Sequence, residues 1–160
     1  MSSEEKMTRE EMHRKFAIEC FNDTWDLLDQ TVRTSEHETQ MIHAAHASRY
    51  HWGEIGSPLN FARGDWQLSR VYAVLGYVEM AFRYAKSSLK ICEENEIGGI
   101  DLAFAYESLA RASAVAGDVK MMGKYLRLAK EAGMKIEKEE DKTYFSKELK
   151  TVRSMLRESE

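Results

Sequence analysis

Arg70 and Arg111 stand 41 residues apart in stretches that otherwise match, and two guanidinium forks on one face can grip a carboxylate through paired N–H donors. A second group of chemically capable residues lies in the run from His43 to Trp52, which carries His43, His46, Tyr50 and His51. On a helix turning 100° per residue, His43, His46 and Tyr50 fall within an arc of about 60°. Glu36 and Glu54 sit on the same side beyond either end of that arc. Imidazoles on neighbouring turns make a metal-ligand pair, and adding a histidine of the preceding helix gives His13, His43, His46 and Glu54 as a candidate metal set. The spacing is not that of an HExxH motif, so a plainer account stands beside it: Ala44, Ala45, Ala47 and Ser48 allow close helix packing while the histidines bond neighbouring acids or backbone. No Gly-rich phosphate loop, GxSxG turn or paired Cys/His nucleophile is present, so neither catalytic residues nor a cofactor are expected.

The elements that would position these groups are all helical. Thr8 and Glu11 make a capping box before a stripe of Met12, Phe16, Cys20 or Ile18, Phe21, Trp25 and Leu28, and Ser35 with Glu38 makes a second box that launches a helix to about Trp52. Ser57 and Pro58 open a third helix that stops at Gly76, since proline at a first helical position loses no hydrogen bond. A fourth covers Val78 to about Asn95, a fifth Ile100 to Ala116, and a sixth is capped by Asp118 and ends at Gly133. Asp141 or Thr143 begins a last helix, with Phe145, Leu149, Val152 and Leu156 on one face. Period-two alternation is absent, so no strand is expected.

Composition narrows the class of protein. With 160 residues, 43% of them hydrophobic, 31% charged and one proline, the chain can bury one core and run long helices without interruption. A net charge of −4 with interleaved bases and acids argues against nucleic acid and membrane surfaces as partners. Cys20 and Cys92 are isolated thiols without CxxC spacing, which suits a reducing, cytoplasmic address. The polar start is no signal peptide, and no stretch reaches the ~18 apolar residues of a membrane span.

Shifting the chain by 41 residues lays Leu68, Arg70, Ala73, Val74, Gly76, Val78, Met80 and Tyr84 onto Leu109, Arg111, Ala114, Val115, Gly117, Val119, Met121 and Tyr125. Two helices per unit at such a period signal a helical solenoid. Leu68, Ser69, Tyr72, Gly76, Ala81 and Ser88, then Tyr106, Leu109, Ala110, Gly117 and Ala129, resemble the tetratricopeptide repeat family at its leucine, aromatic, turn and small-residue positions. Ser113 and Met122 depart from that pattern, and the proline that ends the family's second helix is missing from both units. The segment from His43 to Asn95 also resembles an uncharacterised bacterial family, which brings no function with it.

The tetratricopeptide resemblance implies an all-α fold, a right-handed α-α superhelix of about seven antiparallel helices. Residues 1–7 are expected to form a flexible tail and 8–160 a single domain: a divergent helix pair over 8–56, repeats over 57–97 and 98–134, and a capping helix over 139–158. It further implies a non-enzymatic protein-binding scaffold with a concave groove lined by Asn60, Arg63, Trp66, Gln67, Arg70, Glu107 and Arg111. In that groove the arginines would hold an acidic peptide and Trp66 would anchor it. The competing account pairs each arginine with an acid such as Glu107 or Glu79, stiffening the stack. Two other classes stay open: a metal- or small-molecule-binding protein using the histidines, and a structural homo-oligomer.

Overall fold

Caps and turns set the helix limits. Thr8 Oγ1 accepts from Glu11 N at 3.1 Å and Glu11 Oε2 accepts from Thr8 N at 3.1 Å, so the first capping box is the expected one. The second forms one residue early. Thr34 Oγ1 accepts from His37 N at 3.2 Å while His37 Nδ1 accepts from Thr34 N at 3.4 Å, an imidazole taking the place of the Glu38 carboxylate. Helix two also runs through Gly53 and ends at Ile55, with Gly56 as its cap.

The computed structural model describes residues 6–156. Within them lie α1 (Arg9–Leu28), α2 (Ser35–Ile55), α3 (Pro58–Leu75), α4 (Val78–Glu94), α5 (Gly99–Val115), α6 (Val119–Met134) and α7 (Glu139–Lys150), then a 3-10 turn at Arg153–Met155, and no strand among the described residues. Of the expected N-terminal tail, residues 1–5 fall outside the described residues, as do positions 157 and 158 of the expected capping helix.

Helices pack as sequential pairs, α1 with α2, α3 with α4 and α5 with α6; each pair rests on the next, and α7 lies on α5 and α6. Ser48 Oγ donates to Ala17 O at 2.7 Å, Ser69 Oγ to Ala81 O at 2.8 Å and Ser88 Oγ to Ala62 O at 2.9 Å. A serine reaching a carbonyl of the facing helix requires close crossing, which the small residues around it permit.

The 41-residue equivalence holds in space as burial and as bonds. Leu68 and Leu109, Ala73 and Ala114, Ala81 and Met122, Ala85 and Leu126, and Ser88 and Ala129 are all buried, each large apolar side chain contributing ~1.5–3 kcal/mol by leaving water. Gly76 and Gly117 both take the left-handed conformation, φ 83° and 75°, where a Cβ is costly. Across those turns Tyr77 N donates to Tyr72 O at 2.9 Å and Asp118 N to Ser113 O at 3.0 Å, the same C-terminal closure twice.

Three expectations about elements are corrected. Met12, Phe16 and Ile18 of the predicted α1 stripe are 41%, 44% and 45% exposed; the face α1 buries instead carries Ala17 and Thr24, because α2 approaches too closely for larger side chains. Gly133 does not stop α6, which continues to Met134. A Cβ there would lie 2.5 Å from Phe145 Cε1, so this glycine is where α7 crosses α6. Finally α7 opens at Glu139 and ends at Lys150, short of Leu156. Its end is bonded to Arg111, whose Nη2 donates to Glu148 O at 3.2 Å and to Thr151 Oγ1 at 2.8 Å; a cation at a helix C-terminus satisfies carbonyls that have no partner within the helix.

Candidate functional site

Arg70 and Arg111 project from equivalent turns of α3 and α5 toward the same carboxylate. Arg70 Nη2 meets Glu107 Oε2 at 3.0 Å and Arg111 Nε meets Glu107 Oε1 at 2.6 Å, while Arg70 Nη1 meets Glu148 Oε2 of α7 at 3.1 Å. Glu107 is fully buried, with Arg111 at 4% and Arg70 at 9% exposure. The expectation of two free guanidinium forks along an open trough is therefore corrected: both arginines are shielded and paired, through Glu107 as the competing account allowed but not through Glu79. Burial pushes the Arg111 guanidinium down from its ordinary range, opposed by Glu107, and the Arg70 charge adds to the depression. For Arg70, burial is outweighed by Glu107 and Glu148, which raise it. Guanidinium starts so far above neutrality that both stay charged.

A pocket of about 470 Å3 opens beside this network. Trp25 and Asp29 reach it from the end of α1, Trp66 and Arg70 from α3, and Tyr144 and Glu148 from α7; i,i+4 spacing on each helix puts each pair on one face. Four aromatic rings line it, with centroids 6.3 Å apart for Phe21 and Trp25 and 5.2 Å for Trp25 and Trp66, while the buried Phe104 behind the wall joins Trp66 at 4.7 Å to Tyr144 at 5.8 Å. Burial pushes the Tyr144 phenol up, and the Glu148 and Asp29 carboxylates push it the same way against Arg70.

Of the groove residues read from the sequence, the structure brings Trp66 and Arg70 to this pocket and sends the others elsewhere. Asn60 Oδ1 accepts from Ser57 N at 3.0 Å and closes the start of α3. Arg63 makes a two-bond pair with Asp101, 2.8 and 3.2 Å. Gln67 is fully buried and its Nε2 donates to Phe21 O at 2.9 Å, joining α3 to α1, while its Oε1 and Trp66 Nε1 are buried without a partner among the described residues. Glu107 and Arg111 lie beneath the pocket as the counter-charges of Arg70 and the cap of α7. Sequence reasoning missed Asp29, Tyr144 and Glu148 as site residues. Trp25 was visible only as one member of an apolar stripe, and nothing in the spacing of α7 tells its groove face from its outer face.

The expected histidine set does not assemble. His43 is exposed, and His46 Nε2 lies 2.7 Å from Tyr72 Oη against the rings of Tyr72 and Tyr84. His13 meets His51 instead, Nδ1 to Nδ1 at 2.8 Å, and near Glu54 it borders a shallow cleft. No group of three or more His, Cys, Asp or Glu side chains able to hold a metal ion occurs among the described residues. Antiparallel pairing of α1 with α2 explains the change, since it puts the start of α1 beside the end of α2, three turns from His43.

Burial lowers the His46 imidazole, with His43 adding to the effect, and burial also lowers His51, with His13 acting the same way and Glu54 opposing. A histidine whose folded value lies below the unfolded 6.5 leaves stability intact above that pH. Below it the unfolded chain binds protons that the folded chain resists, and stability is lost. The urea midpoint should therefore fall between pH 7.5 and 5.5, and His46→Gln should shrink that fall. An equal fall in the variant would remove His46 as a source. Cys20 and Cys92 are free thiols, and burial raises Cys92 to about 11, leaving it inert as a nucleophile.

No protein-family model, curated protein or solved structure gives a significant match to this chain. No helix of the described residues is long and apolar enough to cross a membrane.

Proposed function

We propose that this chain is a non-enzymatic binding protein of tetratricopeptide-like architecture, a short right-handed α-α superhelix that receives a side chain of a peptide or protein partner between α1, α3 and α7. The observation carrying this reading is the aromatic-walled pocket of about 470 Å3 beside the Arg70 ion network, since anchor pockets of this kind supply most of the affinity in peptide recognition. Its position on α1 and α3, the first helices of the first two pairs, fits the inner face of such a solenoid. The charges of Arg70 and Arg111 are answered by Glu107 and Glu148, so the reading does not ask for an acidic partner. Free thiols at Cys20 and Cys92 go with a cytoplasmic setting.

The test is selection of binding peptides from a random 12-residue display library against the folded protein. Selected peptides should bind with micromolar or better affinity and lose about tenfold or more with Trp25→Ala or Tyr144→Ala, two positions whose side chains are part-exposed, while the melting curve shifts little. Failure to select a binder, or binders indifferent to both substitutions, would defeat the proposal. Arg70→Ala with Arg111→Ala is a poor probe, because it strands Glu107 without either counter-charge in the core.

A further inference from the structure

The charges around the pocket do not balance. Of the charged groups that line it, Arg70 is positive while Asp29 and Glu148 are negative; Glu107 and Arg111 pair with each other beneath it. Asp29 is the residue that caps α1, no basic residue lies in the last turn of that helix, and the negative end of the helix dipole points the same way. Arg33 answers part of that dipole, its Nη1 donating to Leu28 O at 3.2 Å and Gln30 O at 2.7 Å; Asp29 makes no ion pair or side-chain hydrogen bond among the described residues.

The walls suit the same sign. Aromatic faces carry negative potential and attract cations, most strongly where water is excluded. Trp25 already has one, the Arg70 guanidinium carbon, 5.9 Å from its ring centroid. Phe21, Trp66 and Tyr144 carry none among the described residues. Beyond the effect of burial, Glu148 and Asp29 push the Tyr144 phenol up while Arg70 pushes it down, so both carboxylates act on this ring.

Resting on the binding function proposed above, we infer that the pocket between α1, α3 and α7 recognises an ammonium group, held by the faces of Trp25, Trp66 and Tyr144 with Asp29 and Glu148 as counter-charges. The group is carried by a lysine side chain, free or methylated, or by a small quaternary amine, and the two sources share one chemistry. A carboxylate would share the pocket with Asp29 and Glu148, and the Arg70 guanidinium that would attract it is already paired with Glu107 and Glu148.

Four probes test this by tryptophan fluorescence and by NMR shifts of the indole N–H protons: tetramethylammonium, its neutral carbon isostere neopentane presented as 3,3-dimethylbutanol, propionate, and an N-acetylated decapeptide with a central trimethyllysine. The ammonium probes should bind roughly tenfold tighter than the alcohol, and propionate should not bind. Asp29→Asn should weaken ammonium binding about threefold to fivefold, and 0.5 M salt should weaken it further. Tighter binding of the peptide than of tetramethylammonium assigns a peptide lysine; the reverse assigns a small amine. Equal affinity for the alcohol, or no ammonium binding, overturns the cation assignment. The two ideas fail separately, since peptides selected from the library that bind through Trp25 and Tyr144 without a lysine would leave the binding function standing and remove only this inference.

Discussion

Glu107→Ala should cost about 3–5 kcal/mol of folding stability, because it leaves two guanidinium groups facing each other in the core without the carboxylate that both share. A domain of this size holds only ~5–15 kcal/mol in total, so the variant should unfold at a much lower urea concentration or express poorly. Lys90 and Glu94 form an exposed i,i+4 pair at 3.8 Å, and breaking it should cost under about 0.5 kcal/mol. Salt should weaken that pair and leave the loss at Glu107 nearly unchanged. Converting Arg70→Met, Glu107→Leu and Arg111→Met together should recover much of the stability, since a well-packed apolar replacement avoids desolvating charge. A loss below about 1 kcal/mol in Glu107→Ala would mean that the network does not hold α3, α5 and α7 together.

That network marks where reading the sequence succeeded and where it stopped. The 41-residue equivalence of Arg70 and Arg111 was legible, because equivalent positions in stacked hairpins repeat side-chain direction as well as identity, and Gly76 and Gly117 repeat down to the same backbone bonds. Burial was not legible. It depends on α7 laying Glu148 against Arg70 across 78 residues of chain, and nothing local announces that contact. Short-range physics therefore read well: Thr8 with Glu11, Pro58 at the start of α3 and Asp118 at the start of α6 were each set by bonds within one turn. Where tertiary packing decides, the same signals misled. Gly133 reads as a stop and is a crossing point, and Met12, Phe16 and Ile18 read as core and face outward because Ala17 and Ser48 draw α1 against α2. The candidate site shows the same division, with Trp66 and Arg70 found through the repeat while Asp29, Tyr144 and Glu148 belong to segments outside it.

The dependence of the site on α7 leads to the second large effect, Phe145→Ala. Phe145 is 2% exposed, packs edge-on to Phe104 at 5.0 Å and lies over Gly133, so truncating it should cost about 3–5 kcal/mol from lost burial and the cavity left behind. The loss should be local rather than global. α7 has 12 residues, a length at which an isolated helix is marginal in water, and its last turn leans on Arg111; once its aromatic anchor is gone, docking and helicity should fail together. Hydrogen exchange read by mass spectrometry should show peptides from 139–156 losing protection while those from α3 and α4 keep theirs. Gly133→Ala approaches the same joint from the other side. Its added methyl must push Phe145 aside, at about 1–3 kcal/mol for overpacking, set against the ~1 kcal/mol that alanine gains over glycine in a helix. In Phe145→Ala, Tyr144 and Glu148 leave the pocket with α7, so peptide binding should fall even where α1 to α6 remain folded. Unchanged protection over 139–156 in Phe145→Ala would show that α7 is held by its polar contacts with Arg70 and Arg111 instead, and would shift the origin of the pocket's shape from the aromatic joint to the buried ion network.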